Sequence, residues 1–118
     1  MDIQHLYDYC SSVSKPESKL LSTINRETHL RMINPRMLAG HLQGKFLEMS
    51  SLMLRPQRIL EIGTFTAYST ICLSAGLRDD GEIHTIEQNI ELEGIILSNI
   101  HKASLTSKVF LHKGDAID

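Results

Sequence analysis

The fold of this chain is decided by residues 58–69, which read Arg58-Ile59-Leu60-Glu61-Ile62-Gly63-Thr64-Phe65-Thr66-Ala67-Tyr68-Ser69. The first half is a short run rich in aliphatic side chains, which predicts a β-strand that ends at Gly63. Thr64 to Thr66 predict a turn, and a helix is expected from about Ala67 to Leu77. This stretch is therefore interpreted as a strand–turn–helix unit.

The residues that follow repeat the alternation of strand and helix. Asp79-Asp80-Gly81 predicts a tight turn, Glu82 to Glu87 a second strand, Ile90 to about Lys102 a second helix, and Lys108 to His112 a third strand before Gly114. Because crossovers of a dozen or more residues join parallel strands and are right-handed, the pattern predicts a parallel sheet with strand order 3-2-1. The expected fold class is α/β: the first β-α-β-α-β half of a Rossmann-like fold, preceded by N-terminal helices.

The part of the chain before Pro56 has the apolar spacing of helices. The sequence predicts a first helix over Ile3, Leu6, Tyr7, Cys10 and Val13; a second with Ser14 as N-cap, Glu17 as capping-box partner and Leu20, Leu21 and Ile24 as apolar stripe; and a third from Asn34-Pro35 through Leu38, Leu42, Phe46, Met49 and Met53 to Arg55-Pro56. We therefore expect one domain over residues 1–118. It is divided into a helical N-terminal cap region at 1–55 and a partial Rossmann-like cofactor-binding region at 56–118.

Composition excludes several classes of protein. The chain has 118 residues, 42% of them hydrophobic and 22% charged, which is typical of one globular domain. A formal net charge of −2 without runs of like charge gives no basis for a nucleic-acid partner. The charge-free stretch from Ile62 to Leu77 is too short and polar for a bilayer span, so no membrane partner is expected. Asp2, His5 and Asp8 interrupt the N-terminus where a secretory signal has an apolar block, so a cytoplasmic location is expected.

Cysteines and histidines give no sequence signal for a metal or redox centre. Cys10 and Cys72 lack CxxC spacing and are interpreted as reduced thiols. The 6 histidines, at positions 5, 29, 41, 84, 101 and 112, lack the spacing that places two of them on one helical face. No metal site is therefore predicted within this chain.

A ligand site is predicted at the carboxyl ends of the strands. Ligands of open parallel sheets bind beyond these ends, so Gly63, Glu87 and Gly114 are expected to lie close together. Phe65 stands where the second glycine of a G-x-G-x-x-G fingerprint would be, so a pyrophosphate is disfavoured. A nucleoside without phosphate fits better, with a small carboxylate at the helix N-terminus beside the Ser69 hydroxyl. S-adenosylmethionine is a ligand of this kind.

Glu87 and the segment after the third strand are candidates for binding the nucleoside. A carboxylate accepts two hydrogen bonds at once, so Glu87 is expected to hold the 2′- and 3′-hydroxyls of the ribose. The alternative is a solvated charge in a loop. Gly114-Asp115-Ala116 is expected to line the adenine through backbone N–H groups and the Asp115 side chain. Its alternative is an ordinary turn at the end of a strand.

The order and spacing of these motifs resemble a known family. The motifs are Glu61-Ile62-Gly63-Thr64-Phe65-Thr66-Ala67-Tyr68-Ser69, Thr85-Ile86-Glu87, Gly114-Asp115-Ala116 and, before the sheet, Met37-Leu38-Ala39-Gly40-His41-Leu42-Gln43-Gly44. They are similar to the cofactor motifs of the S-adenosylmethionine-dependent O-methyltransferases of the catechol and caffeoyl-CoA type. The resemblance implies that Met37 and Ala39 contact the cofactor, Ala39 through its backbone. It also implies that Glu61 and Gly63 line the methionyl end of the cofactor, Phe65 packs beside it, Ser69 binds its carboxylate and Glu87 binds its ribose.

The resemblance also implies an activity, the transfer of a methyl group from S-adenosylmethionine to a hydroxyl of a small acceptor molecule. In the family, a metal-binding aspartate, a catalytic lysine and further metal ligands follow in segments beyond residue 118, so the chain is expected to be truncated before its chemistry. A divalent cation is therefore expected only in a full-length form, and no catalytic residue is assigned. His41, Lys45 and Glu48 are interpreted as surface or hydrogen-bonded residues. Ala67 departs from the family, which usually has glycine there, so the turn has to tolerate a Cβ.

The predicted sheet has an open edge. A fourth strand would pair beside the first, so Ile59 to Ile62 are expected to form an unpaired apolar edge. A homodimer in which the partner covers this edge, or the bare face of the sheet, is expected; a fragment of a longer product is the alternative. Two other functions stay open: a non-catalytic cofactor-binding or assembly module that retains half of the methyltransferase fold, and a nicotinamide-dependent enzyme, which the glycine pattern opposes.

Overall fold

The computed structural model describes residues 2–118 as helices followed by an alternation of strands and helices. The elements are α1 (Ile3–Val13), α2 (Lys19–Arg31), a 3-10 turn (Pro35–Met37), α3 (Gly40–Leu54), β1 (Arg58–Ile62), α4 (Tyr68–Leu73) with a 3-10 turn (Ser74–Gly76), β2 (Glu82–Glu87), a 3-10 turn (Ile90–Leu92), α5 (Glu93–Lys102) and β3 (Val109–Lys113). Among the helices of this described part, none is long and apolar enough to cross a membrane.

The three strands form one parallel sheet in the order β1-β2-β3. The register pairs Ile59 with Ile83 and Ile83 with Val109. Two residues further along, it pairs Glu61 with Thr85 and Thr85 with Leu111. Read from the other edge, this is the predicted order 3-2-1. The α/β class and the β-α-β-α-β half of a Rossmann-like fold are therefore confirmed.

One face of the sheet is buried under helices. Ile83 and Val109 on this inner face pack with Ile96 and Ile100 of α5 in the larger hydrophobic cluster. A second cluster lies between α2 and α4 and contains Leu21, Ile24, Tyr68 and Cys72. Because this second cluster joins a helix before Pro56 to a helix after it, both regions share packing; the boundary at Pro56 stays a prediction.

The opposite face of the sheet is open to solvent. This outer face is formed by Leu60, Ile62, His84, Ile86, Phe110 and His112, which alternate along the strands with the buried residues. Leu60 and Ile62 are 67% and 69% exposed, and Phe110 is 42% exposed. β1 pairs with β2 alone within the sheet, so its other side is the edge that the sequence predicts.

The predicted capping box at the start of the second helix is wrong. Ser14 instead ends α1, where its hydroxyl donates to a carbonyl of the last turn. Ser18 is the N-cap of α2 and accepts a hydrogen bond of 3.2 Å from the Leu21 N–H. Pro16 explains the shift, because a proline disfavours helical backbone in the residue before it. Glu17 is thereby free to accept a hydrogen bond from the Tyr68 hydroxyl.

α3 begins later than predicted and packs through small residues. A 3-10 turn at Pro35–Met37 precedes Gly40, whose left-handed φ of 79° separates that turn from the helix. Gly44 and Ser51 are the buried residues of α3. Phe46 and Met53, on the predicted apolar spacing, are 62% and 74% exposed. The apolar side of α3 therefore points away from the core.

Candidate functional site

The carboxyl ends of the three strands meet as predicted. The Gly63 N–H donates to the carbonyl of Ile86 over 2.9 Å, and the Gly114 N–H donates to the carbonyl of Glu87 over 3.0 Å. These bonds continue the sheet pairing one residue past β1 and β3. Gly63, Glu87 and Gly114 consequently lie side by side, which confirms their expected clustering.

Two adjoining clefts at this edge bring together every residue that the sequence assigned to a cofactor. The first, of about 350 Å³, includes Met37, Ala39, Glu61, Gly63, Phe65 and Ser69 in its wall. The second, of about 400 Å³, includes Met37, Gly63, Phe65, Glu87, Gly114, Asp115 and Ala116. Met37, Gly63 and Phe65 belong to both clefts, so one elongated ligand can extend from Glu61 to Glu87 along a shared wall.

The bend between β1 and α4 has left-handed backbone at alternate residues. Gly63, Phe65 and Ala67 have φ values of 91°, 52° and 71°. Ala67 therefore carries its Cβ in a conformation that favours glycine. Its side chain is completely buried in the larger hydrophobic cluster. The burial of this methyl group offsets part of the backbone strain.

Glu87 is held in place at the end of β2 by two backbone donors. Its Oε2 accepts a hydrogen bond of 2.8 Å from the Phe65 N–H, and its Oε1 accepts one of 2.9 Å from the Asn89 N–H. A carboxylate has about four acceptor positions, so each oxygen keeps one for a ligand. The left-handed turn at Phe65 directs the first of these donors. The sequence pattern did not indicate the part played by Asn89, two residues beyond the carboxylate.

Glu61 is a buried carboxylate held by hydroxyl groups. Ser69 donates to its Oε2 over 2.6 Å, while Thr70 and Thr85 donate to its Oε1 over 2.5 Å and 2.8 Å. Because a serine hydroxyl has one proton, Ser69 can donate to a cofactor carboxylate only if it turns away from Glu61. The assigned role of Ser69 stays a prediction.

A layer of buried threonines supports the bend from below. The Thr64 and Thr85 hydroxyl oxygens lie 2.5 Å apart, and those of Thr28 and Thr66 lie 3.0 Å apart. The Asn99 side chain donates to the Thr66 carbonyl over 3.0 Å. None of these residues was assigned a role from the sequence. Their only signal was the placement of Thr64 and Thr66 on either side of Phe65.

Gly114-Asp115-Ala116 is exposed at the mouth of the second cleft. The Asp115 Oδ1 accepts a hydrogen bond of 3.0 Å from the Ile117 N–H, which closes a local turn. This geometry agrees with an ordinary strand-ending turn and also leaves Asp115 on the cleft wall. Both interpretations from the sequence stay open, and the adenine contact stays a prediction.

The ionisable residues of α3 have local partners. Lys45 and Glu48 form an ion pair of 3.0 Å with each other. The His41 Nδ1 lies 3.0 Å from the Ser11 hydroxyl, and its Nε2 lies 2.8 Å from the Lys15 carbonyl. Their interpretation as surface or hydrogen-bonded residues agrees with these contacts. Over residues 2–118, no group of three or more His, Cys, Asp or Glu side chains is placed to hold a metal ion.

Comparison with known proteins decides the family. Residues 11–118 match the sequence model of a family described as O-methyltransferase. The chain belongs to this O-methyltransferase family. Among individual O-methyltransferases, the catechol O-methyltransferase of Niastella koreensis is 38% identical over 76 residues, which cover 64% of this chain and 34% of that protein. The caffeoyl-CoA O-methyltransferase of Stellaria longipes is 28% identical over 113 residues, which cover 96% of this chain and 46% of that protein.

Solved structures of O-methyltransferases share the fold. The O-methyltransferase from Bacillus cereus in complex with SAH matches with a TM-score of 0.87 and 32% identity, over 97% of this chain and 51% of that one. TomG from Streptomyces achromogenes, an O-methyltransferase involved in tomaymycin synthesis, was solved in complex with SAM. It matches with a TM-score of 0.87 and 32% identity, over 100% of this chain and 54% of that one. The chain thus spans about a third to a half of the length of these relatives.

Proposed function

We propose that this chain carries the S-adenosylmethionine site of an O-methyltransferase that acts on a hydroxyl of a small acceptor molecule. The main support for this proposal is the position of Glu87. Its carboxylate accepts hydrogen bonds from the N–H groups of Phe65 and Asn89, beside the bend that begins at Gly63. A fixed carboxylate with one open acceptor position on each oxygen suits the two adjacent hydroxyls of a ribose. Relatives of this fold were solved in complex with SAH and with SAM.

The first cleft suits the amino-acid end of such a cofactor. Glu61 contributes a negative charge to its wall, which attracts the ammonium and sulfonium groups. The bulky side chain of Phe65 stands where a pyrophosphate would have to approach the backbone closely, which disfavours a dinucleotide. Met37 and Ala39 approach from the helical region and supply apolar wall to the cleft.

The proposed chemistry divides between the cofactor and the rest of the enzyme. The bound cofactor supplies an activated methyl group, and the residues that line the two clefts bind and orient it. Transfer to oxygen also requires a deprotonated acceptor hydroxyl, and none of the assigned residues is placed to remove that proton. Within residues 2–118, the His, Cys, Asp and Glu side chains do not fit a divalent cation with three side-chain ligands. Names of relatives mention catechol and caffeoyl-CoA, both small acceptors with hydroxyl groups.

Calorimetric titration with S-adenosylhomocysteine tests the cofactor site. Glu87→Gln is expected to raise the Kd by about 10- to 100-fold, because it replaces the charged acceptor of two hydroxyl hydrogen bonds. Glu91→Gln is the matched control, since it removes an equal charge from an exposed position nearby. Unchanged binding is expected for that variant.

Two results would contradict the proposal. Wild-type protein that binds NAD⁺ but not S-adenosylhomocysteine would assign the site to a dinucleotide. Equal binding by wild type and Glu87→Gln would remove the ribose role of Glu87. A methyl-transfer assay with a catechol acceptor then separates an enzyme from the alternative, a non-catalytic module that binds the cofactor without turnover.

We also propose that a second copy of this chain pairs with the open edge of the sheet along β1. β1 is an edge strand, and the exposed Leu60 and Ile62 lie on the outer face beside that edge. Two such edges can pair across a two-fold axis, which brings the Leu60 and Ile62 side chains of the two copies together on one face of the joined sheet. The free thiols of Cys10 and Cys72 fit a reducing compartment, so a cytoplasmic location belongs to the same proposal.

Light scattering at micromolar concentration tests the dimer. Wild type is expected at twice the mass of the chain, and Leu60→Lys is expected as a monomer because it places a charge within the apolar contact. Met53→Lys, on the exposed side of α3, is the control and should stay dimeric. A monomeric wild type would contradict the proposal.

A further inference from the structure

Two histidines from different strands meet on the outer face of the sheet. The Nδ1 atom of His84 lies 2.9 Å from the Nε2 atom of His112. The register pairs His84 with Phe110, and Ile86 with His112, so the two histidines are diagonal neighbours on β2 and β3. Their positions are 28 residues apart in the chain, and the strand register alone brings them together.

A carboxylate and an aromatic ring orient this pair. The Nε2 atom of His84 lies 3.3 Å from the Glu82 Oε2, and its ring stacks on Phe110 with centroids 5.1 Å apart. In the neutral imidazole, a hydrogen bond from Nε2–H to Glu82 leaves the Nδ1 atom of His84 without a proton. This atom is therefore an acceptor that faces His112. A carboxylate on the remote nitrogen is also the usual support of a histidine that binds a metal.

We propose that His84 and His112 form a two-histidine binding site for a divalent transition metal ion, with Cu²⁺ as the tightest. Two imidazole nitrogens about 2.0–2.1 Å from one metal, at a right angle to each other, are separated by about 2.9 Å. The two nitrogens lie at this separation in a hydrogen bond between stacked rings, whose centroids are 5.2 Å apart. A metal ion that replaces the shared proton turns both rings so that the two nitrogens point at one position above the sheet. Water completes the coordination, since no third side chain converges within residues 2–118. Ligands of this type in tetragonal geometry favour Cu²⁺.

The site is separate from the cofactor clefts. The side chains of His84 and His112 lie on the outer face of the sheet, whereas Glu61 and Thr85 lie on the inner face. A metal bound there would join β2 to β3, the strands that end at Glu87 and Gly114. Metal binding at His84 and His112 therefore does not depend on whether the cofactor assignment is correct.

Copper titration of the Cys10→Ser protein tests the site, because Cys10 is an exposed thiol that would otherwise compete for the ion. We expect one Cu²⁺ per chain and a paramagnetic resonance spectrum with two imidazole nitrogens. His112→Gln should weaken binding at least 10-fold and leave one nitrogen. His101→Gln, an exposed histidine on α5, is the matched control and should bind as the parent does.

Circular dichroism and thermal unfolding of the metal-free variants establish that each of them folds. Glu82→Gln gives an independent check, because it leaves both ligands in place and should weaken binding severalfold by removing the support of His84. Equal affinity of the parent and His112→Gln, or equal losses in His112→Gln and His101→Gln, would overturn the proposal. A spectrum with a single nitrogen in the parent protein would overturn it as well.

Discussion

At the scale of single residues, Glu61 places a buried carboxylate on the inner face of the sheet, near the carboxyl end of β1. Glu61 lies on β1 beside Thr85 of β2, at a position where an apolar side chain would otherwise complete the core. Its oxygens accept hydrogen bonds from three hydroxyl groups, so the buried charge is solvated by the protein. Thr85 links Thr64 to Glu61, since its hydroxyl accepts a hydrogen bond from Thr64 and donates one to Glu61.

Thr85→Val tests this hydroxyl relay. The valine keeps the shape of the side chain but leaves Glu61 with one donor fewer and Thr64 without its acceptor. We expect the free energy of unfolding in urea to fall by about 1–3 kcal/mol. Thr106→Val, at an exposed position, is the control and should change stability by less than about 0.5 kcal/mol. A Thr85→Val protein as stable as wild type would show that the relay does not support the fold.

The two cysteines are expected to differ in reactivity, because Cys10 is exposed and Cys72 is buried. Burial between α2 and α4, with a further contribution from the nearby Glu48 carboxylate, raises the pKa of the Cys72 thiol from 9.0 to about 12. The folded state therefore holds this proton more tightly than the unfolded state. The protonated Cys72 thiol therefore contributes to the free energy of unfolding in full below about pH 9, and this contribution is lost as the pH rises toward 12.

Alkylation at pH 8 checks this difference. Iodoacetamide is expected to label exposed Cys10 in the folded protein and to leave Cys72 unlabelled until urea is added. Mass spectrometry of the Cys10→Ser variant should then show no label in buffer and one label in urea. Rapid labelling of Cys72 in buffer would mean that the contact between α2 and α4 opens readily.

At the scale of secondary-structure elements, α3 and α4 approach each other closely because glycines line their contact. Ser51 of α3 donates to the carbonyl of Leu73 over 2.5 Å and accepts a hydrogen bond of 3.0 Å from the Gly76 N–H. A Cβ on Gly76 would stand 1.9 Å from the Ser51 carbonyl oxygen. Gly44 likewise faces Tyr68, at 2.8 Å from an added Cβ. Because α4 begins directly after the bend at residues 63–67, this contact also holds the bend that lines the proposed cofactor site.

Gly76→Ala is accordingly expected to lower the free energy of unfolding by about 3 kcal/mol, since backbone cannot yield to the new methyl group as a flexible side chain would. Gly94→Ala on α5 is the control, because an added Cβ there has no neighbour within 4 Å. That substitution should stabilise the protein by about 0.5–1 kcal/mol through helix propensity. Denaturant unfolding measures both, and a Gly76→Ala protein of wild-type stability would contradict the close contact.

Local signals predict the strands well and the helix starts less well. β2 has the predicted limits Glu82–Glu87, because a turn and a change in spacing bound it. The N-cap of α2 was misplaced at Ser14, since two serines lie near Pro16 and the sequence does not show which of them follows the extended segment. α3 starts at Gly40 after a separate turn, a break that depends on the left-handed φ of that glycine.

The site was predictable as far as topology determines it. Parallel strands bring Gly63, Glu87 and Gly114 to one edge wherever the side chains point, so their clustering followed from the strand pattern. The contact between Ser69 and Glu61 depends on side-chain rotamers and was therefore missed. The contact between His84 and His112 was also not predicted, because it depends on the register between β2 and β3 and not on spacing along the chain.

At the scale of the whole molecule, the two clefts of the proposed cofactor site lie between the helical region and the sheet. Met37 and Ala39 reach the clefts from the segment between α2 and α3, while Gly63 and Glu87 reach them from β1 and β2. α1 has no buried residue and lines neither cleft. A ligand shared by both regions should therefore reduce local opening at these segments and have little effect on α1.

Hydrogen exchange with and without S-adenosylhomocysteine measures this coupling. Amides at 37–39, 63–66, 87–89 and 114–116 are expected to exchange more slowly when the ligand is bound, whereas those of Ile3–Val13 should be unchanged. Ligand at 100 times its Kd stabilises the folded state by about 2.7 kcal/mol, which limits the slowing of amides that exchange by global unfolding to about 100-fold. Protection confined to 87–89 and 114–116 would contradict a ligand that extends through both clefts, because the segment around Met37 would then take no part in binding.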